Sequence, residues 1–162
     1  MKSVLTHTNA RHGWLIAAGA CALVLVLALL PPVLPEGLRA GMMHAFASVC
    51  HQLPHRSFAP GGVPLAVCHR CTGLLAGLVL GTMLLPFVWG RARRFARYDV
   101  PLLVLAGLPA LLDWGLSVVG VWTNTPTTRF ATGLLFGVAA GYLFARMLAT
   151  DPARRSAGAA AG

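Results

Sequence analysis

Three cysteines and four histidines fall between Met43 and Cys71 of an otherwise apolar chain. Cys50-His51-Gln52 stands near the middle of this stretch, and Cys68-His69-Arg70-Cys71 closes it directly before a hydrophobic segment. Thiolates and imidazoles are the usual ligands of zinc and its neighbours. The two-residue gap of Cys68 and Cys71 lets both sulfurs reach one ion from a single turn, and Cys50 supplies a distant third ligand. His51 is the natural fourth, with His69, His55 and His44 in reserve. A Cys3His set fits a tetrahedral zinc ion with Zn–S near ~2.3 Å, and four protein ligands make a closed, structural site. Without His51 an open position remains, and catalysis enters.

Thiol chemistry competes with this reading. Three cysteines cannot all pair within one chain, so the odd thiol suits an attacking or resolving role toward a Cys68–Cys71 disulfide. Arg70 between them and a helix start near Thr72 favour thiolate. Membrane oxidoreductases that pass electrons to quinones also carry loop cysteines on four-helix bundles, an analogy of architecture alone. The third alternative is a structural disulfide with one spare thiol, with no metal or other cofactor. Cys21, among alanines and leucines, reads as packing.

The elements that must position these residues belong to a membrane. Hydrophobic residues make up 57% of the 162 and charged ones 10%, against about 45–50% and about 25% in soluble domains. Four windows, about 14–34, 72–89, 100–121 and 130–148, approach the ~20 apolar residues that cross a bilayer as helix. Pro31, Pro32 and Pro35 stop the first, which reads as a retained signal-anchor. The net charge of +9 sorts by topology. Lys2 and Arg11, then Arg91, Arg93, Arg94 and Arg97, then Arg146, Arg154 and Arg155 fall where a four-span chain with both termini inside has its cytoplasmic parts. Arg39, Arg56, Arg70 and Arg129 then lie outside. No basic surface alternates with stacking aromatics, so the charge gives no sign of nucleic-acid binding.

The Cys/His-rich outer loop covers about 35–71. Leu38, Met42, Phe46 and Val49 recur at helical spacing and predict a short extra helix from Glu36 to about Val49; prolines and glycines from Pro54 to Pro64 spell an irregular segment. Thr72-Gly73, Gly77 and Gly81 match Thr132-Gly133, Gly137 and Gly141 at an offset of 60 residues, with Arg70 or Arg129 just upstream. Glycine at every fourth position lets membrane helices pack closely, so spans two and four should touch and bring Arg129 near Cys68–Cys71. Asp113 is the one acidic residue inside a span, about 20 Å along the third and so in its outer half. A carboxylate there needs a partner, for which Arg129 is expected first and Arg70 second. Arg56, Arg70 and Arg129 converge at the outer mouth on this topology. Their planar forks suit an anionic lipid headgroup or another anion.

Cys50-His51-Gln52, Pro54, Arg56-Ser57-Phe58, Cys68-His69-Arg70-Cys71-Thr72-Gly73, Asp113, Arg129 and Thr132-Gly133 together resemble a bacterial and archaeal family of small predicted membrane proteins, domain of unknown function 2085. The likeness covers about residues 46–142. It implies a multi-span membrane protein and supplies no activity. The expectation is therefore an all-α integral membrane bundle of four helices over residues 1–150, followed by a disordered tail over 151–162. It sits in the plasma (inner) membrane with both termini cytoplasmic. A zinc-like site of Cys50, His51, Cys68 and Cys71 lies on the outer face, beside a polar network of Arg56, Arg70, Asp113 and Arg129. Cys68, Cys71, Cys50, Asp113 and Arg129 are the candidates for direct chemistry. The partners expected are the lipid bilayer, with an anionic lipid or a quinone as more specific ones.

Overall fold

Proline and glycine mark several of the helix ends in this chain. The computed structural model describes residues 2–88 and 96–149. Helix α1 covers Lys2–Leu29, and its stretch Arg11–Leu29 is long and apolar enough to cross a membrane. It stops five residues before the expected boundary at 34, because Pro31 and Pro32 carry no amide hydrogen and close the chain into a tight turn. Helix α2, Glu36–Ala47, opens after Pro35 with Glu36 in its first turn, where a negative charge meets the helix dipole. At 12 residues it spans only about 18 Å, too short to cross. None of its residues is buried.

Three further helices are long and apolar enough to cross: α3 (His69–Val88), α4 (Asp99–Val118) and α5 (Pro126–Ala149). The described chain is thus all-helical, with four membrane-length helices and a short fifth. Helix α4 ends at Val118 rather than 121 because Gly120 adopts φ 75° and closes the helix. The N–H of Gly120 bonds Ser117 O and that of Val121 bonds Leu116 O, a glycine-ended cap. Helix α5 starts four residues earlier than expected, at Pro126. Thr125 precedes it, its hydroxyl accepts the Thr128 N–H at 3.1 Å, and the Thr128 hydroxyl accepts the Thr125 N–H at 3.0 Å. This reciprocal pair, with proline at the first helical position, satisfies amides that would otherwise point into nothing.

The α3–α5 contact is the most extensive in the molecule. A methyl group at Gly73, Gly77 or Gly81 would strike the backbone carbonyl of Phe130, Leu134 or Val138, and one at Gly133, Gly137 or Gly141 would strike that of Arg70, Leu74 or Leu78. The two sets advance together, so α3 and α5 run parallel and in register, each residue of the seam facing its counterpart 60 positions away. Only glycine allows backbones this close. Helix α1 packs against both from the side, and Trp14 Nε1 donates to Thr82 O at 2.8 Å. At that end Ala17, Leu85, Tyr142, Ala145 and Ala149 form one core cluster. Ala28, Cys50 and Val67 form another at the opposite end, with Phe46, Cys68, Cys71 and Leu75 against it. Helix α4 packs chiefly on α5 and is the most exposed of the four, with 11% of its apolar window buried. Ion pairs fasten it at both ends: Asp99 with Arg146, and Asp113 with Arg70.

Two expectations fall on residues outside the described ones: the cluster Arg91, Arg93 and Arg94, and the tail 151–162.

Candidate metal centre

The cysteine loop is built by backbone hydrogen bonds rather than by a large core. Ala66 N–H bonds Ala28 O at 3.1 Å, tying the segment before Cys68 to the end of α1. Cys50 follows α2 and bonds Phe46 O through its own N–H at 3.0 Å. Gln52 has φ 48°, unusual for a residue other than glycine. That turn aims its side chain back into the loop, where Nε2 donates to Met43 O at 2.7 Å and Ala66 O at 2.9 Å. One amide thereby clamps the end of α2 to the segment that leads into Cys68. An isolated bridge between Ser57 and Cys68 fixes the remaining side of the loop.

Cys68 is the residue at which α3 begins. Its carbonyl accepts the first helical bond, from Thr72 N–H at 2.8 Å, and also the Thr72 hydroxyl at 3.1 Å. Its N–H donates to Cys50 Sγ at 3.2 Å, joining two sulfur ligands through one peptide. The Sγ atoms of Cys50, Cys68 and Cys71 all lie within 4.8 Å of one another, and all three are free thiols. Such a group could hold a metal ion. The Cys71 thiol, then the Cys71 N–H, the Cys50 thiol and the Arg70 N–H, hydrogen-bond the Cys68 sulfur. Together they outweigh burial and hold it at about 5, well below the ordinary thiol. A sulfur at a helix N-terminus receiving backbone N–H bonds is a thiolate site.

His51 does not join this group. It is exposed, as are the reserve histidines His44 and His55, and no described histidine lies in the cluster. His69 is buried, but its ring packs edge-on to Phe58, with centroids 4.3 Å apart at 84°. Histidine follows Cys50 and Cys68 in sequence, yet neither His51 nor His69 belongs to the group of mutually close ligand atoms. Cys21 is buried in α1, apart from the other three.

The polar network corrects one expectation. Asp113 is buried and pairs with Arg70, Nη2 to Oδ2 at 2.5 Å, not with Arg129. Arg129 is held instead by Asn124: Nε donates to its Oδ1 at 2.9 Å, and Nη2 reaches the same oxygen. Arg129 sits in the first turn of α5, five residues from Asn124, and this local bond pins the turn; Arg70 in the first turn of α3 reaches across to α4. Arg56, Arg70 and Arg129 all line one cavity of about 340 Å³ with Cys68, Cys71, Trp114, Ser117, Val118 and Asn124. The structure thus brings two of the three sulfurs to the wall of an arginine-lined space. Gln52 as clamp and Asn124 as partner of Arg129 were not legible beforehand, since neither residue type at its position announces a contact.

This architecture is that of a four-helix membrane protein carrying a three-cysteine cluster at one end. Residues 50–143 match the family described as predicted membrane protein, domain of unknown function 2085. The chain belongs to that family. An uncharacterised protein of Methanocaldococcus jannaschii is 30% identical over 95 residues, which is 57% of this chain and 58% of the relative. The chain therefore matches less than two thirds of that relative's length. No solved structure matches.

Proposed function

We propose that Cys50, Cys68 and Cys71 hold one transition metal ion, zinc by preference, on the extracytoplasmic side of a cell membrane, with a fourth coordination position facing the arginine-lined cavity. The observation that carries this is the convergence of three sulfurs within 4.8 Å from two separate turns. Tetrahedral zinc with Zn–S near ~2.3 Å needs sulfurs about 3.8 Å apart, so a small closure of the cluster suffices. The Cys68 N–H on Cys50 Sγ and the amide bonds on Cys68 Sγ favour thiolate, the form that binds metal. With His51 exposed, three protein ligands and an open place describe the site, the pattern of reactive rather than purely structural zinc. A metal so held supplies Lewis acidity to an oxygen ligand in the open position. The side chains keep their own tasks: Gln52 holds the two halves of the ligand set together, and Arg70 faces the cavity while locked to Asp113. Arg11 and Arg146 at the opposite end of the bundle support the orientation.

A second reading rests on the lowered Cys68 thiol beside Cys71, which suits thiol–disulfide exchange. One preparation separates the two. Protein purified in mild detergent is assayed for bound metal and for free thiols before and after chelation. About one zinc per chain, with three thiols released by chelator and lost in Cys50→Ser, is expected. Metal-free protein whose Cys68 and Cys71 react only after reduction would overturn the metal reading and leave the redox one standing.

A further inference from the structure

The cavity beside the sulfurs carries more positive charge than its walls neutralise. Three guanidiniums line it, and Asp113, bonded to Arg70, is the carboxylate that answers them: three positive minus one negative leaves two. Three thiolates around a divalent ion carry a net charge of minus one, which leaves a surplus of one with metal in place. Two helix N-termini, those of α3 and α5, add their partial positive ends to the same space. The C-terminus of α4, which also borders it, has carbonyls of its last turn taken up by the N–H groups of Gly120 and Val121.

The donors are not used up. Arg70 spends Nη2 on Asp113, while its Nε is buried with no hydrogen-bond partner. Arg129 spends Nε and Nη2 on Asn124 and keeps Nη1. Arg56 ends the short turn Pro54–Arg56, is exposed, and makes no described side-chain hydrogen bond or ion pair. A buried guanidinium donor left unpaired is costly, and a tetrahedral oxyanion offers several acceptors at once. A carboxylate offers two oxygens in one plane, whereas a phosphate group offers a tetrahedral set that can meet donors from three directions. The volume of about 340 Å³ lies at the small end of the ~300–1,000 Å³ of ligand sites. It admits a phosphate group with room to spare. Trp114 and Val118, exposed on the apolar surface of α4, line the same cavity and give it a greasy side.

We propose that Arg56, Arg70 and Arg129 form a binding site for a phosphate group, whether free or as the head of a lipid, beside the cysteine cluster. The site stands on the arginines and the cavity and does not require that the cysteines hold metal.

The test uses the full chain in phosphatidylcholine nanodiscs, with and without chelator treatment, titrated with inorganic phosphate and followed by phosphorus NMR. Saturable binding is expected, weakening as salt is added. Arg56→Gln should weaken it on the order of tenfold, the loss of one charge-assisted hydrogen bond. Arg56→Lys should keep part of it, and Arg129→Gln should weaken it by a similar factor. Arg56 makes no described side-chain hydrogen bond or ion pair, and its backbone N–H keeps its bond to Leu53 O whatever the side chain, so its variants keep the fold and carry the test if Arg129→Gln does not. In a second arm the discs contain phosphatidic acid: displacement of inorganic phosphate assigns the site to a lipid head, and undisturbed binding assigns it to free phosphate. No saturable binding, or equal affinity in wild type and Arg56→Gln, overturns the proposal. So does binding that disappears with the metal and ignores both arginine variants.

Discussion

Gly77→Ala is the sharpest probe of the seam that positions this site. A methyl group there would lie 2.8 Å from Gly137 Cα and 2.8 Å from Val138 N, and nearer still to Leu134 O, where ordinary contact begins at 3.4 Å. All three are backbone atoms of α5, so no side chain can swing aside. The helices must part by more than half an ångström. A gap of about 0.5–1 Å forfeits roughly a quarter to a half of the attraction of each contact it opens, and overpacking of this kind costs about 1–3 kcal/mol. Alanine returns about 1 kcal/mol of helix propensity, leaving a net loss of up to about 2 kcal/mol. At Gly19 of α1 the same methyl meets nothing within 4 Å, so Gly19→Ala keeps the gain alone. Thermal unfolding in one detergent should therefore move in opposite directions for the two changes. Gly77→Ala should also lose metal to chelator faster, because α3 carries Cys68 and Cys71. Equal shifts for the two variants would refute the close backbone seam.

Further outcomes follow from the loop and the polar network. Arg70→Asp or Asp113→Arg alone breaks the pair and should cost about 3 kcal/mol. The double swap should recover most of this, while Asp113→Arg with Arg129→Asp recovers none, as read by folded yield and unfolding temperature. Gln52→Ala strips donors from the carbonyls of Met43 and Ala66 and should cost about 1–3 kcal/mol. Gln52→Glu, which keeps the shape without the amide donor, should fare no better in chelator-release rates. In reduced, chelator-stripped protein, Cys68 lies at about 5 against an ordinary 9.0. Because the folded value is the lower one, its stabilisation is complete above about pH 9 and is lost as pH falls through about 5. Iodoacetamide labelling of Cys68 should hold from about pH 8 to about pH 6 and fall away near 5.

Much of the bundle was legible because hydropathy and proline spacing act locally. Pro31 and Pro32 end α1 by chemistry that needs no partner. The 60-residue glycine offset announced α3 against α5, since small residues at every fourth position have few other uses in a membrane. The cysteine cluster was legible for a similar reason, as Cys68 and Cys71 share one turn. The place of His51 was not. Adjacency in sequence put His51 beside Cys50, but the positive φ at Gln52 turns the chain there, and that conformation is set by the distant carbonyl of Ala66. The partner of Asp113 failed on the same ground. Depth along α4 put Asp113 at the level of the cysteine end but could not rank two arginines there, and the choice was made by Asn124, a short-range acceptor for Arg129.

The order in which the ribosome delivers this chain separates the two halves of the site in time. Cys50, Cys68 and Cys71 are complete as soon as α3 has been made, whereas Asp113 and Arg129 belong to α4 and α5, which follow it. The nascent protein thus has its three sulfurs, Arg56 and Arg70 before Arg129 completes the wall of positive charge, and Arg70 waits for Asp113 until α4 arrives. On the metal reading proposed above, loading of an ion can precede closure of the bundle, and the clasp between Arg70 and Asp113 can form before α5 brings Arg129 to the cavity wall.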